Sequence, residues 1–537
     1  MSEQSMSMSL SSGVAALTPR THGEAVATDL FASTPKVARD SILQRAFSFP
    51  AMLGALLVAG VFVARHNFEV DTDLWWHIKA GEGILATHHW PTSDPYSFTV
   101  SGQPWLAYEW LGGVFFALVE RVGGLVGLQA LLIILGAAIM VALYAFATLR
   151  SGNSKAGFVT AAVLLVLAAA NFNLRPQMLG YLFLILTLIA LERFRQGKRG
   201  ALWFLPVLFL VWINVHGSWE LGLGTMFVYW ASGLKGFRLG DIEARRWDPA
   251  DRRRLSFVFL LCLAVIPITP YGTKLAAYPF EVASSLPVNM ANIIEWQPMP
   301  FNLFGAKLFL ALILGLFIVQ IALRLTWRLE ELALFFFGTV MACVHVRFLL
   351  IFVPFFAPLF ATTLARWLPK YQREKDKFIL NAVIMLSMLA AMVHYFPSQA
   401  QIEENVARNF PVGAIEYMRQ HPVPGPMFNS YGFGGYLVWS RGPEHKVFID
   451  GRGELYEHGG VFADYMHITL LQPGALSVLR GYGVQSCLVN REEPFAVVLA
   501  ALPEWQAVYS DKVSTLFVRR DGAAEAVTSA AKARAQE

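Results

Sequence analysis

Charge is what this chain has least of. Of its 537 residues, 15% are Asp, Glu, Lys or Arg, against about 25% in an ordinary soluble domain. That is too little to coat the three or four water-facing domains that length suggests at ~150 residues each. Cysteine is also scarce. Cys262, Cys343 and Cys487 exclude a disulfide scaffold and a four-cysteine zinc site. The N-terminal stretch holds no short apolar core with a cleavage site, so it does not read as a signal peptide. No Asn-x-Ser/Thr sequon occurs, which fits a bacterial protein. No internal repeat of the transporter kind is visible.

Apolar residues are abundant. They make up 55% of the chain, and with 41 Phe, 15 Trp and 16 Tyr they exclude disorder. They are also concentrated. Runs at about 46–64, 124–148, 157–171, 178–193, 201–215, 219–237, 255–270, 306–325, 331–345, 347–366 and 378–396 read as about eleven membrane spans. Lys and Arg collect in every second connection, such as Arg193 to Arg199, Arg238 to Arg254 and Arg366 to Lys377. Such residues mark the cytoplasmic side. The expected layout is therefore a polytopic α-helical membrane protein. A cytoplasmic disordered tail occupies 1–45 and a transmembrane domain 46–396, with long outer loops at 65–123 and 271–305. A small outer α/β domain follows at 397–520, then a frayed tail at 521–537. The net charge of +5 is topology signal and headgroup anchoring, and calls for no nucleic acid.

The first outer loop opens on Asp71-x-Asp73. One aspartate can cap the helix expected over Asp73 to Ala86. The alternative is a carboxylate pair that serves as base or metal ligand at the membrane surface. Trp75 and Trp76 suit the lipid–water interface, where indole sits at headgroup level. Pro91, Pro95 and Asp94 mark turns. Glu109 to Val119 reads as a second interfacial helix or a re-entrant piece. Glu109 and Glu295 are either solvated loop acids or acids of one cleft. His77, His88 and His89 are interfacial histidines or ligands, and His216 sits in an outer turn. Arg175 and Arg347 lie on the side where basic residues are uncommon, facing a lipid headgroup or a substrate phosphate.

In the C-terminal part, GAIEYMRQ reads as a helix, PMFNSY as a strand and GFGGYLVWSR as a helix. KVFID reads as a strand, QSCLVN as another, and WQAVYSD with STLFVRR as a hairpin. GFGG lacks the lysine and spacing of a phosphate loop. Asp450, Arg452 and Tyr456 sit at a strand end, where open α/β sheets bind ligands; a salt bridge holding the loop is the other reading.

Taken in order, DTDLWWHIKAGEGIL, PTSDPYSFT, YEWL, LRPQ, VHGSW, EWQP, HVRFLL and FIDGR resemble a bacterial branch of the GT-C superfamily. Its members are integral membrane glycosyltransferases that use polyprenyl-phosphate sugars. The resemblance covers about residues 46–520. It implies that an outer-loop carboxylate deprotonates an acceptor hydroxyl, which attacks the sugar with inversion while polyprenyl phosphate leaves. By position Asp71 or Asp73 is the base, with Asp71 nearer the family acid. His77 and the acids Asp94, Glu109 and Glu295 line the cleft, and Asp450 and Arg452 bind substrate. Arg175 and Arg347 hold the lipid phosphate. No cofactor is required; Mg or Mn is the metal that Asp71 and Asp73 could hold. The implied partners are the polyprenyl-phosphate sugar, membrane lipids and an envelope glycan, lipid or protein acceptor. The implied location is the bacterial inner membrane, with the C-terminal domain outside. The hallmark motifs of oligosaccharyltransferases are missing, which speaks against transfer to asparagine. A transporter or export component, and a non-catalytic assembly subunit, are the competing classes.

Overall fold

A computed structural model describes residues 42–67 and 71–520. The tails expected at 1–45 and 521–537 lie outside the described residues, apart from 42–45 in the short helix Ile42–Ala46. The described residues from Ala46 onward form one compact unit.

Every one of the apolar runs is helical. They form α1 (Phe49–Arg65), α3 (Trp110–Ser151), α4 (Ser154–Ala168), α5 (Gln177–Arg195), α6 (Leu205–Val215) and α7 (Trp219–Ser232). The series continues with α8 (Pro249–Val265), α11 (Phe304–Leu323), α12 (Leu329–Val344), α13 (Leu349–Leu364) and α14 (Phe378–His394). Among the described residues five helical segments are long and apolar enough to cross a membrane, and α14 with α15 (Gln399–Asn409), bent by 61° between them, makes a sixth if the pair is one span. The remaining ones, α1, α6, α7, α8 and α12, run 11 to 17 residues.

The segment expected as the first outer loop contributes α2 (Thr72–Thr87), started by Asp71, whose side chain accepts the Asp73 backbone N–H. The piece expected over Glu109 to Val119 is the first arm of α3. Gly124 breaks that helix at φ 56° and ψ −150°, a backbone setting open mainly to glycine, and separates the arm from the span. The second long loop folds into α9 (Thr273–Ser285) and α10 (Pro287–Asn292).

One end of the bundle is tied by buried ion pairs. Arg195 meets Glu330 at 2.7 Å, Arg328 meets Glu192 at 2.7 Å, and Arg150 pairs with Glu331. The three acids are almost wholly buried, a position that a carboxylate tolerates only when paired. Beside them lies a small sheet that the sequence does not announce: β1 (Phe237–Leu239), β2 (Ile242–Ala244) and β3 (Trp327–Arg328). These Arg residues all come from the segments assigned to the cytoplasmic side.

The C-terminal part holds α16 (Val412–Gln420), α17 (Tyr431–Arg441), α18 (Gly453–His458) and a sheet of order β4-β5-β7-β6. β4 (Met427–Asn429) runs parallel to β5 (Ser486–Asn490). β7 (Ser514–Arg519) is antiparallel to β5 and to β6 (Trp505–Ser510). KVFID is not one of the strands. Its backbone bonds elsewhere: Val447 N–H donates to Tyr96 O at 3.0 Å, and Phe448 N–H to the Asn429 side chain at 2.8 Å. Trp75 and Trp76 are not at a lipid interface either. Both are buried, and Trp75 meets Tyr436, Trp439 and Phe410 at 4.9, 4.6 and 5.5 Å between ring centroids. The C-terminal part covers α2, and aromatic burial there outweighs any interfacial preference of indole.

Candidate active site

At the end of the bundle opposite the ion pairs lies a cavity of about 810 Å³. Its polar part is built by α2, the loop before α3, the turn before α5, the α6–α7 turn, the second outer loop and the start of α18. Its apolar part runs between α7, α12 and α13, past Leu221, Val228, Leu334, Met341 and Phe355. Two of its lining residues, Phe227 and Phe337, are 52% and 41% exposed, so this part opens sideways from the bundle.

Arg175 gathers three carboxylates. Its Nε lies 2.8 Å from Asp71 Oδ2, one Nη 3.1 Å from Asp73 Oδ2 and the other 2.9 Å from Glu295 Oε1. The planar guanidinium presents donors on several edges, which lets one cation serve all three. Both Asp71 oxygens are engaged, one by Arg175 and one by the α2 N-terminus at 2.9 Å. Asp73 lines the cavity and keeps 19% of its side chain exposed to it. Burial pushes its carboxyl from 3.8 up to about 7. Arg175 opposes that rise, while Asp71 and Glu295 add to it.

Next to this group stands Glu109 between two histidines. His77 Nε2 is 2.6 Å from Glu109 Oε2, and His216 Nε2 is 3.3 Å from Oε1. Burial holds His216 down at about 3, with Arg347 and Arg175 adding to the effect; burial also holds His77 well below the usual range. Both rings are thus neutral near pH 7. The Ser218 backbone N–H donates to His216 Nδ1 at 3.0 Å, so the ring proton sits on Nε2 and points to Glu109. Burial, then Asp73 and Glu454, drive the Glu109 carboxyl well above its usual value.

Arg347 lies over the Trp296 ring at 4.1 Å, with His345 Nδ1 anchored on Trp296 O at 2.6 Å. Among the described residues no carboxylate comes within ion-pair distance of Arg347, unlike Arg175. Tyr108 and Tyr278 stack at 4.5 Å, and both line the cavity together with Glu454. Burial raises Glu454 as well.

The other candidates lie elsewhere. Arg452 forks onto Asp450, with Nε to Oδ1 at 2.8 Å and Nη2 to Oδ2 at 2.6 Å, and reaches Asp94 at 2.7 Å. Tyr456 donates to Asp450 at 2.8 Å. This group is fully buried and does not line the cavity; it joins the first outer loop to the C-terminal part. His88 and His89 are exposed at the end of α2.

The cavity brings together Asp73, His77, Glu109, Arg175, Glu295 and Arg347, with Asp71 behind. Glu454, Tyr108 and Tyr278 are lining residues that sequence reasoning passed over. For Glu454 a signal existed: it follows the singled-out Asp450 and Arg452 in FIDGRGE. Among the described residues no group of three or more His, Cys, Asp or Glu is arranged to hold a metal ion. The carboxylates that do converge face a guanidinium that stays charged, and a divalent ion on the same oxygens would press against it. The donor set does not fit Mg or Mn.

No protein-family model and no curated protein matches the chain. Solved structures do. The archaeal oligosaccharyltransferase AglB from Archaeoglobus fulgidus aligns at 12% identity with TM-score 0.50, covering 84% of this chain and 70% of its own. Arabinofuranosyltransferase AftD from Mycobacteria aligns at 14% identity with TM-score 0.46, over 89% of this chain and 42% of its own. ArnT from Cupriavidus metallidurans aligns at 14% identity with TM-score 0.40, over 86% and 96%. The likeness to AglB shows a shared fold, the GT-C architecture that the sequence resemblance leads to expect.

Proposed function

We propose that this chain is a GT-C membrane glycosyltransferase that moves a sugar from a polyprenyl-phosphate donor to an acceptor hydroxyl. One observation carries the reading. A single cavity joins a polar pocket, holding a carboxylate and an arginine with no ion-pair partner among the described residues, to an apolar groove that opens past the exposed Phe227 and Phe337. A lipid-linked sugar phosphate has the same two halves. The AglB structure of the same fold holds a dolichol-phosphate, which supports a lipid phosphate as ligand here.

In this reading Asp73 is the base and Asp71 its support. Asp73 faces the cavity, whereas both Asp71 oxygens are already engaged. Asp73 takes the proton of the acceptor hydroxyl. The freed oxygen attacks the anomeric carbon from the face opposite the phosphate, the carbon–oxygen bond to phosphate breaks, and the configuration inverts. Arg347 meets the charge that collects on the departing phosphate. Arg175 keeps Asp73 aimed rather than binding phosphate. The expected setting is a bacterial inner membrane, with the cavity and residues 397–520 on the outer side and an envelope glycan, lipid or protein as acceptor.

The test is transfer of labelled sugar from polyprenyl-phosphate donors by the protein in nanodiscs, with anomeric configuration read by NMR. Transfer with inversion is expected. Undiminished transfer by the Asp73→Asn variant would overturn the base assignment.

A further inference from the structure

Residues 450–454 turn to two destinations. Asp450 and Arg452 point into the buried cluster with Asp94 and Tyr456. Gly451, Gly453 and Glu454 face the cavity. Gly453 approaches Asn289 so closely that an added Cβ would lie 2.3 Å from its Oδ1, and the Asn289 side chain donates back to Gly453 O at 3.0 Å. The segment is thus fixed from both sides, and Glu454 stands at a set place in the cavity wall.

Glu454 Oε1 is buried there with no hydrogen-bond partner among the described residues. Such an oxygen is costly unless a ligand supplies a donor. On the same cavity wall stand Tyr278 and Tyr108, stacked on one another. A carboxylate next to an aromatic face suits a sugar ring: hydroxyls donate to the oxygen, and the C–H face lies on the aromatic ring. The apolar groove is built by α7, α12 and α13, so Glu454 on α18 does not serve the lipid chain.

We propose that Glu454, with Tyr278 and Tyr108, forms a subsite for the hydroxyls of a glycosyl unit, carried by the donor or by the acceptor. The proposal rests on the glycosyltransferase reading and gives the C-terminal part a direct share in substrate choice.

Calorimetric titration of the full chain in nanodiscs tests it. The donor probes are farnesyl phosphate and its glucose, mannose and arabinose esters; the acceptor probes are octanol and the octyl glycosides of those sugars. At least one glycosylated probe is expected to bind about tenfold or more tighter than its sugar-free counterpart. Glu454→Gln and Tyr278→Phe are expected to remove that increment and leave farnesyl phosphate affinity within about twofold, which also shows the variants folded. Loss confined to farnesyl esters assigns the sugar to the donor; loss confined to octyl glycosides assigns it to the acceptor. An increment kept in Glu454→Gln, or missing from the wild-type chain, overturns the subsite. No farnesyl phosphate binding by the wild-type chain overturns the glycosyltransferase reading itself.

Discussion

Gly451 approaches Asp73 so closely that a Cβ added to it would sit 1.8 Å from Asp73 Oδ1. The C-terminal part therefore sets the position of a side chain on α2. Gly451→Ala is expected to push the carboxylate aside. Overpacking of this kind costs about 1–3 kcal/mol of stability. Transfer should fall at least about tenfold in kcat, with KM for the lipid donor little changed. Steady-state kinetics with a thermal melt separate the two effects.

Asp71 and Asp73 are expected to fail differently. Asp73→Asn should lower kcat by about 10²–10⁴ while the protein melts normally, as loss of a general base does. Asp71→Ala removes the cap of α2, which costs about 1 kcal/mol, and releases one edge of Arg175. Its defect should appear in stability first. Equal kinetic losses in both variants would contradict the assignment.

The raised Asp73 carboxyl predicts a pH profile. A base must be deprotonated, so kcat/KM should climb as pH rises through about 7 and level off above it. Stability should run the other way. Between about 4 and 7 the folded form keeps a proton that the unfolded chain has lost, so unfolding free energy falls as pH rises through that window. Asp73→Asn should remove the ascending limb and flatten that part of the stability curve.

Arg347 and Arg175 should separate in the same way. Arg347→Ala is expected to weaken farnesyl phosphate binding about tenfold or more, since a charge-assisted contact is lost. Arg175→Ala leaves Asp71, Asp73 and Glu295 facing one another without a cation, and should destabilise the fold by about 3–5 kcal/mol. Arg452→Ala should cost a similar amount, because Asp94 and Asp450 stay buried and unpaired. Chemical denaturation followed by tryptophan fluorescence measures both losses.

The helices of the apolar runs were legible because an apolar run acts locally; among the described residues five of them, or six with α14 and α15 taken as one, have the length of a span. Legible too was α2, from its aspartate cap and its leucine spacing. The acids and arginines of the cavity were legible as outliers in a chain poor in charge. Their partners were not. Arg452 meets Asp94 across 358 positions, Arg175 meets Glu295 across 120, and Asn429 satisfies the backbone that KVFID would have offered a sheet. Such pairings depend on how distant segments are brought together. Trp75 shows the same gap: indole at a membrane edge and indole under a second layer read alike until the cover is seen.

The sideways opening past Phe227 and Phe337 has a consequence for how such a protein meets its donor. In the proposed function a lipid donor entering there would never leave the bilayer, while a glycan or protein acceptor would reach the polar end from water. The two substrates are then supplied from phases of different dimension. For the donor, the effective variable is mole fraction in the membrane. Adding inert phospholipid at constant bulk donor should slow turnover, whereas diluting the vesicles themselves should not.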